Sequence, residues 1–419
     1  MAKHSLYFEI FFATISLYFA LISPGFPASA QIQETVEPPE IVVTARKLDE
    51  TEKALDDCLA RDCPPLEDIA ASIAHAEEQF MIGEYRDARA TLTGAISRNR
   101  EYGAEYPVPM SGLYRAAGRT AEHLGLTRRL KTDLYHMRDV LKTHAPTELP
   151  ARITTEIELG DGMMKMGETS LADDIFARAE TMAREHGEHR MAAIATLRRV
   201  ALLLYYRNDQ YDTGQSANYT RQQMLMFMRA RMAKARDMID RLIANPNPGT
   251  DDQIMAARLL GLKIDMKLKR VDAADGEDMM QQIMALAKKL SPGPHPVLLT
   301  DPVIAAAEGG PAMLGKRFFN GGREARADVR YRIMLDGTVD DIEIVDYEGD
   351  EDWPRLVAKS LKTRRYVPPQ SPDQFSPGNI RFERFSRTFD MQESPRVGTR
   401  ILSRTGMPTV RTIDLMPSG

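Results

Sequence analysis

The sequence contains little of what several common functions require. Its 419 residues include two cysteines and one tryptophan, and aromatic residues amount to 7%. The 55 basic residues are outnumbered by 60 acidic ones, so the net charge of -5 does not indicate the basic surface of a nucleic-acid-binding protein. Few aromatic residues beside 24 methionines favour helices over an all-β sandwich. We therefore expect a mainly helical protein without a nucleic-acid partner.

The motifs of familiar enzymes are also absent. The sequence has no phosphate-binding loop, no Gly-x-Ser-x-Gly and no His-Glu-x-x-His, so we expect no enzymatic activity and no cofactor. The acidic and histidine residues of 185–189 could bind a metal ion, but they fall in a predicted turn, where exposed polar residues are normal. The aspartates of 336–341 are explained better by a turn than by a calcium site. Four methionines are typical of a core or of an adaptable binding face, and we expect no bound metal. Copper capture by these methionines is the less favoured alternative. They are Met224, Met226, Met228 and Met232.

The first thirty residues have the pattern of a secretory signal peptide. Lys3 precedes an apolar stretch over residues 6–22, and Ala28-Ser29-Ala30 supplies the small residues of a cleavage site. We predict that residues 1–30 are removed and that the protein is exported to the periplasm. An uncleaved N-terminal anchor is the alternative.

Export decides the interpretation of the two cysteines. Cys58 and Cys63 have four residues between them, which is not the two-residue spacing of redox or zinc pairs. In an oxidising compartment two nearby thiols favour a disulfide. We therefore predict a Cys58–Cys63 disulfide in an extended leader over residues 31–65.

A 42-residue period follows the leader. Gly83, Gly125 and Gly167 are each 42 residues apart. A helix, a tight turn and a second helix explain this period, because glycine tolerates the left-handed backbone of such a turn. Residues seven before, five after and nine after each glycine then lie on buried helix faces. They are Ala76, Gly118 and Gly160; Ala88, Leu130 and Ala172; Leu92, Leu134 and Phe176.

The third of these units, from Leu159-Gly160 through Gly167 to Phe176, resembles the tetratricopeptide repeat. The departure from that family is the period, which is 42 residues here and about 34 in the family. The resemblance implies an all-α solenoid of helical hairpins over residues 66–290, whose curved surface binds peptides or proteins. A spacer without a partner is the alternative.

A second domain is predicted after a Pro- and Gly-rich linker over residues 291–312. Alternating apolar and charged residues from Ala327 to Ile333 predict a strand, and Asp336-Gly337 predicts a hairpin turn. The offset at Val339 predicts a bulge or a strong twist in the second strand. A helix covers the sheet with three residues on one face, namely Trp353, Val357 and Leu361.

Residues 313–395 resemble the C-terminal domain of the TonB family, which has a strand, Asp-Gly, a second strand, a helix and an aromatic-x-Pro ending. The expected fold is therefore multidomain, with a helical-hairpin solenoid followed by a small α+β domain and a flexible tail over residues 396–419. The matching positions are Val329, Tyr331, Ile333, Asp336, Gly337, Val339, Ile344, Val357, Leu361, Tyr366 and Pro368.

This resemblance implies that the domain recruits an extended peptide by adding it as a strand to an open sheet edge. In that family the peptide is the box segment of outer-membrane receptors. We predict that the last strand forms the edge and that five of its residues contact the partner. They are Arg381, Phe382, Glu383, Arg384 and Phe385.

A segment near the predicted mature N-terminus resembles the receptor box itself. Its β-branched residues predict an extended conformation that pairs with a TonB-type edge in this chain or in another protein. A disordered leader is the alternative. The segment consists of Glu40, Ile41, Val42, Val43 and Thr44.

The leading hypothesis is a periplasmic protein–protein interaction protein, whose TonB-like domain recruits an extended peptide and whose partner is an outer-membrane receptor or a TonB-type domain. One alternative is a peptide-binding scaffold of the envelope with a purely structural end domain. A methionine-based metal carrier is the third.

Overall fold

A computed structural model describes residues 42–204, 221–269, 298–300, 324–366, 379–393 and 402–415. The predicted signal peptide, together with Glu40 and Ile41, lies outside these residues. Among the described residues, one compact unit contains residues 42–175, 389–393 and 402–405. The other contains the described residues between 176 and 388 and residues 406–415.

Helices make up most of the described chain as far as residue 269. A single helix, α1, precedes the helical hairpins that the sequence period predicts. A short 3₁₀ helix, Arg100–Ala104, joins the first pair to the second. The helices are α1 (Val42–Ala60), α2 (Pro65–Ile82), α3 (Tyr85–Asn99), α4 (Pro107–His123), α5 (Thr127–His144), α6 (Leu149–Lys165), α7 (Thr169–Glu185), α8 (His189–Leu204), α9 (Arg221–Ala244) and α10 (Asp251–Lys269).

The three predicted glycine turns are confirmed. Gly83, Gly125 and Gly167 have φ angles of 94°, 66° and 79°, a region that favours glycine. The N–H of the residue after each glycine donates to a carbonyl at the end of the preceding helix, at 2.8 Å for Glu84 and Leu126 and 2.9 Å for Glu168. These bonds satisfy carbonyl groups that a helix end otherwise leaves without a partner. The turns therefore recur because the same residue and the same cap recur.

The helix faces that the period predicts are also buried. One core cluster joins α2, α3 and α4 through residues that include Ala76, Ala88 and Leu92. In the next two hairpins the equivalent residues are buried as well. These are Gly118, Leu130, Leu134, Gly160, Ala172 and Phe176.

The prediction of an extended leader over residues 31–65 is wrong from Val42 onward. Helix α1 occupies Val42–Ala60, so Val42, Val43 and Thr44 have helical backbone. The β-branched run is short, and the sequence after it is rich in Lys, Glu, Leu and Ala, which favour a helix. Leu55 is buried, and Thr51 Oγ1 lies 3.2 Å from His75 Nδ1 of α2. Packing on α2 therefore stabilises the helix.

A disulfide joins Cys58, near the end of α1, to Cys63 in the loop before α2. The two Cα atoms are 5.1 Å apart, and Cys58 is buried. The Cys63 N–H donates to the Cys58 carbonyl at 3.1 Å. The crosslink and this hydrogen bond fix the turn between α1 and α2.

A four-stranded sheet forms the domain that the sequence predicts after residue 312, with strands in the order β3-β2-β5-β6. We call it the sheet domain. A separate two-stranded sheet pairs β1 with β4, so Leu298–Thr300 in the predicted linker is a strand. Local Pro and Gly content could not reveal this, because the pairing partner lies more than sixty residues away in sequence. The elements are β1 (Leu298–Thr300), β2 (Ala325–Ile333), β3 (Val339–Glu348), α11 (Asp352–Leu361), β4 (Arg365–Tyr366), β5 (Ile380–Glu393) and β6 (Leu402–Asp414).

The hairpin between β2 and β3 follows the sequence prediction. Asp336 Oδ1 accepts hydrogen bonds from the Thr338 N–H at 2.8 Å and the Thr338 hydroxyl at 2.5 Å, and Gly337 has a φ of 80°. Register shifts interrupt the β2–β3 pairing at two places, and Asp341 beside one of them has a φ of 50°. The predicted bulge therefore exists, two residues after Val339.

Helix α11 covers one face of this sheet. Trp353, Val357 and Leu361 are buried against alternate residues of β2, as their four-residue spacing predicts. The Trp353 indole N–H donates to the Phe385 carbonyl of β5 at 3.0 Å, so the helix is tied to the sheet by a hydrogen bond as well as by packing.

The prediction of a flexible tail over residues 396–419 is wrong for residues 402–414, because β6 occupies Leu402–Asp414. The Leu415 N–H donates to the Phe382 carbonyl at 2.8 Å, and Val410 belongs to the core of the sheet domain. The segment lacks the strong alternation of β2, which is why its composition suggested a tail.

Candidate protein-binding surfaces

The first helices of the first two hairpins expose apolar side chains at equivalent positions. Leu66 near the start of α2 is 48% exposed, and Val108 near the start of α4 is 46% exposed. The two residues are one 42-residue period apart, and each follows a proline at the first position of its helix. Helices α2 and α4 contact each other, and the two side chains occupy equivalent positions on them.

Small residues continue this side of the helices toward their C-termini. Ala70 and Ala74 lie one and two turns beyond Leu66 and are exposed. Gly112 lies one turn beyond Val108, and a Cβ atom built there would meet no atom within 4 Å. We call Leu66, Ala70, Ala74, Val108 and Gly112 the first-helix face. Its small side chains let the backbone of a partner approach closely. Its two large apolar residues, Leu66 and Val108, offer surface that a partner can bury.

Ion pairs between successive hairpins flank the first-helix face. Arg115 of α4 donates through Nε to Glu158 of α6 at 2.6 Å, and Lys165 Nζ of α6 lies 2.7 Å from Glu122 of α4. The paired residues are 43 positions apart, close to one 42-residue period, because both pairs join the first helix of one hairpin to the first helix of the next. They fix the positions of the first helices relative to each other.

A buried carboxylate fixes the first hairpin in the same way. Asp68 of α2 accepts two hydrogen bonds from Arg98 of α3, at 2.7 and 2.8 Å, and one each from Asn99 and Ser72. Burial raises the pKa of Asp68, but these hydrogen bonds and the Arg98 charge outweigh it, so the pKa is lower than usual. The helix that carries Leu66 is therefore anchored two residues from it.

Strand β5, the predicted binding edge, is not an edge. It lies between β2 and β6, so both sides of its backbone have a neighbouring strand. The prediction that a partner pairs here is wrong for the folded chain, because the tail residues that were expected to be flexible fill this place. Arg381, Phe382, Glu383, Arg384 and Phe385 all lie in this interior strand.

Two of these five residues form buried ion pairs instead. On the face that α11 covers, Glu383 accepts from Arg364 at 2.7 Å, and the Arg364 side chain is only 1% exposed. On the opposite face, Arg384 donates through Nε and Nη2 to the two carboxylate oxygens of Asp328, both at 2.6 Å. Phe385 belongs to the domain core. The charges of β5 therefore hold the sheet together.

Tyrosine hydroxyls complete the buried cluster at Arg364. Arg364 Nη1 donates to the Tyr331 hydroxyl at 2.7 Å, and the Tyr331 and Tyr366 hydroxyls lie 2.6 Å apart. Burial raises the pKa of Tyr331 well above its usual value, and the Glu383 charge raises it further. The hydroxyl thus remains protonated and serves as a hydrogen-bonding group.

The β3 edge of the sheet is poorly suited to strand addition. Its two interruptions of register disturb the row of backbone groups that an added strand would need. Acidic side chains project along it, and arginines of β2 pair with several of them, such as Arg330 with Glu343 and Arg326 with Asp346. Bulges and charges are the devices that discourage edge pairing.

The other sequence candidates have structural roles. Met232 of α9 is buried, while Met226 is 63% exposed. His186 Nδ1 lies 2.8 Å from the Met182 carbonyl in an exposed turn. Within the described parts of the chain, no group of three or more His, Cys, Asp or Glu side chains is arranged to hold a metal ion. No helix among those residues is both long and apolar enough to cross a membrane.

Sequence reasoning missed the first-helix face. The signal was present, because Pro65-Leu66 and Pro107-Val108 repeat with the same 42-residue period as the glycine turns. The period was used to find buried positions and not exposed ones. The Arg364 cluster had no comparable signal, since its members come from three separate elements.

Comparisons with known proteins give a fold-level likeness only. No protein-family model matches the chain, and no curated protein matches it in sequence. The crystal structure of BtubC (BKLC) from P. vanneervenii is 11% identical with a TM-score of 0.41, covering 60% of this chain and 93% of that one. A Podosopora anserina structure of nearly identical TPR-like repeats of a kinesin light chain is 10% identical with a TM-score of 0.39, covering 55% and 99%. The chain's own geometry therefore defines the class of protein, which is a helical-hairpin repeat protein with a small antiparallel sheet domain.

Proposed function

We propose that this chain is a protein-binding scaffold without enzymatic activity, and that it binds a segment of another protein on the first-helix face. The observation that carries the proposal is the pair Leu66 and Val108, which are large, apolar, exposed and one repeat apart. Repeat proteins bind through surfaces built from equivalent positions of successive units. The predicted signal peptide supports a periplasmic location.

The surroundings of the first-helix face support binding in preference to a spacer role. Gly112 and Ala74 leave room for a partner backbone. The Asp68 cluster and the ion pairs between α4 and α6 fix the helices that form the face, so little order is lost when a partner binds. A spacer would need neither the open apolar row nor its fixed support.

A double substitution tests the proposal. Leu66→Glu with Val108→Glu places charges on the face, and burial of each side chain contributes about 1.5–3 kcal/mol, so capture of envelope proteins should fall at least about tenfold. Leu335→Glu with Tyr347→Glu is the matched control, because these two residues are 42% and 49% exposed in the sheet domain. Capture is quantified by mass spectrometry after affinity purification of the full chain.

A photo-crosslinking residue at position 108, with position 347 as control, locates the contact. Crosslinks to another protein from position 108 but not from position 347 are expected. Equal capture by the two double variants, with no crosslink from position 108, would remove the first-helix face as the binding surface.

A second candidate function is strand recruitment by the sheet domain, as the TonB resemblance implies, in association with outer-membrane transport. The observation that favours it is the β2–β3 hairpin with α11 across the sheet, which has the element order of that family. An incoming strand needs an open edge, and β5 has none while β6 is in place. Strand recruitment therefore requires a change in β6.

A further inference from the structure

We propose that β6 is the chain's own occupant of a strand-accepting edge on β5, and that an extended segment of another protein gains that edge by replacing β6. The proposal rests on the second candidate function and does not depend on the first-helix face. It adds what that candidate lacks, namely the place where a strand enters and the residues that must leave.

The strand order singles out this edge. The sheet ends at β3 on one side and at β6 on the other. The β3 side carries two register interruptions and a row of acidic residues, which work against pairing. Removal of β6 would expose the backbone of β5, in which no register shift against β2 occurs from Ala325 to Arg332. The regular backbone of β5 is therefore a better template than β3.

The composition of β6 differs from that of its three neighbours in the sheet. Gly406 and Pro408 lie within β6, whereas β2, β3 and β5 contain neither glycine nor proline. Proline has no N–H to donate to a ladder, and glycine in a strand costs conformational entropy and has no side chain to pack. A strand without these two residues would pair better in the same place.

Side-chain contacts define what a replacement strand must supply. Val410 enters the domain core, and Arg411 donates through Nε to the Thr388 hydroxyl of β5 at 3.1 Å. Leu415 bonds to Phe382 and Arg411 bonds to Thr388, so β6 runs antiparallel to β5. The fitting partner is an extended segment that runs in this direction, with an apolar β-branched residue at the place of Val410 and a hydrogen-bond donor beside it.

Covalent attachment protects the resident strand. Residues 394–401 connect β5 to β6, and a short connection holds the two at an effective concentration on the order of millimolar. A free peptide of equal intrinsic affinity therefore cannot compete with the intact chain. Cleavage of the connection removes this advantage without removing any element of the fold.

The test uses the full chain with a protease recognition sequence in place of residues 394–401. The probe is a fluorescent synthetic peptide with the sequence of residues 402–415, and its anisotropy is measured before and after cleavage. We expect the cleaved chain to bind the peptide at least about a hundredfold more tightly than the uncleaved chain. A peptide with Val410→Asp is the control and should not bind.

Three outcomes would overturn the proposal. In the first, the cleaved chain retains its own strand and does not exchange it for excess peptide. In the second, the cleaved and uncleaved chains bind the peptide equally. In the third, cleavage unfolds the domain, seen as loss of the buried fluorescence of Trp353, which would make β6 an indispensable structural strand. Val410→Asp in the uncleaved chain is the second variant, and it should admit the wild-type peptide while Trp353 stays buried.

The result is separable from the proposed functions. Exchange of β6 without capture of any strand from envelope proteins would contradict strand recruitment but leave the occupied edge established. Capture through position 108 tests the first-helix face and is unaffected by either result.

Discussion

The helical hairpins and the sheet domain differ in where they place their ion pairs. Between hairpins, Arg115 and Glu158 are each about a third exposed or less, and they join helices that are one period apart. In the sheet domain, the pairs Arg364–Glu383 and Arg384–Asp328 are almost wholly buried and join distant elements. The Arg115–Glu158 pair therefore fixes neighbouring units at a partly exposed contact, while the two sheet-domain pairs are part of the interior.

This difference gives the two regions different sensitivities. Removal of one member of a buried pair leaves a charge in the interior, whereas an exposed pair contributes little. The helical region should respond most to changes in volume where helices meet, because most of its buried side chains are small or aliphatic and its buried carboxylate Asp68 is paired with Arg98. Trp353 is the only tryptophan, so its fluorescence reports on the sheet domain and circular dichroism reports mainly on the helices.

The largest expected effect is that of Arg364→Met. Glu383 loses its buried cation, and the Tyr331 hydroxyl loses a donor at 2.7 Å. We expect a loss of about 3 kcal/mol in the free energy of unfolding of the sheet domain, measured by Trp353 fluorescence in urea. Arg330→Met is the control, because Arg330 and Glu343 form an exposed pair and the loss there should stay below about 1 kcal/mol. Equal losses would show that burial does not distinguish the pairs.

The helical region should respond to a single added methyl group at Gly162. A Cβ atom there would lie 2.2 Å from Leu134 Cδ1, and Leu134 is buried, so the Leu134 side chain must move. Gly162→Ala should therefore destabilise the helices by about 2 kcal/mol, followed by circular dichroism in urea. Gly112→Ala meets no atom within 4 Å and should be neutral or stabilising, by up to about 1 kcal/mol, because alanine favours a helix. A loss at Gly112 as large as that at Gly162 would contradict the packing argument.

The two regions also differ in how far their sequences predict them. The first three hairpins repeat one set of local rules, so the spacing of Gly83, Gly125 and Gly167 predicts both the turns and the buried faces. The tight contact at Gly162 was not predicted, because the position that approaches Leu134 depends on the rotation of α6. The period predicts which helices meet, but not which residues are closest.

In the sheet domain, local patterns predict elements but not their order. The alternation of β2, the Asp-Gly turn and the face of α11 are all encoded within a few residues. Whether β6 pairs with β5 or leaves that edge exposed to solvent depends on contacts between distant segments. No short stretch of sequence predicts which of the two arrangements forms. The prediction of an open edge on β5 was wrong for this reason, while contact of residues 381–385 with a partner stays a prediction.

The helix α1 shows the same limit at the other end of the chain. Val42 and Val43 have high β propensity, but the surface that Leu55 and Cys58 bury against α2 outweighs two residues of local preference. The boundary of a helix is therefore set by what it packs against as much as by its own sequence.

The smallest expected effect sharpens the comparison, because it concerns a pair in the sheet domain that is only partly buried. Arg387 donates to Asp350 at 2.9 Å, and this bond lowers the pKa of Asp350, assisted by the Asp352 N–H at 3.0 Å. A carboxyl group with a lowered folded-state pKa stabilises the fold above its unfolded pKa of about 3.9, and this stability is lost as the pH falls through the folded-state value. Asp350→Asn should therefore lower stability at pH 6 and make no difference near pH 2. Since the Asp350 side chain is 37% exposed, solvent screens the pair, and the effect at pH 6 should be below about 1 kcal/mol.

The matched variant for Asp350→Asn is Asp352→Asn, whose pair with Arg355 is fully solvated at 3.7 Å and should contribute almost nothing. Urea titrations at the two pH values, with Trp353 as the reporter, separate the two substitutions. A loss at Asp350 that is the same at both pH values would mean that its hydrogen bond to the start of α11, which an asparagine oxygen also accepts, matters more than its charge. The sheet domain would then use Asp350 as the helical hairpins use their caps, and the contrast between the two regions would be confined to the fully buried pairs at Arg364 and Arg384.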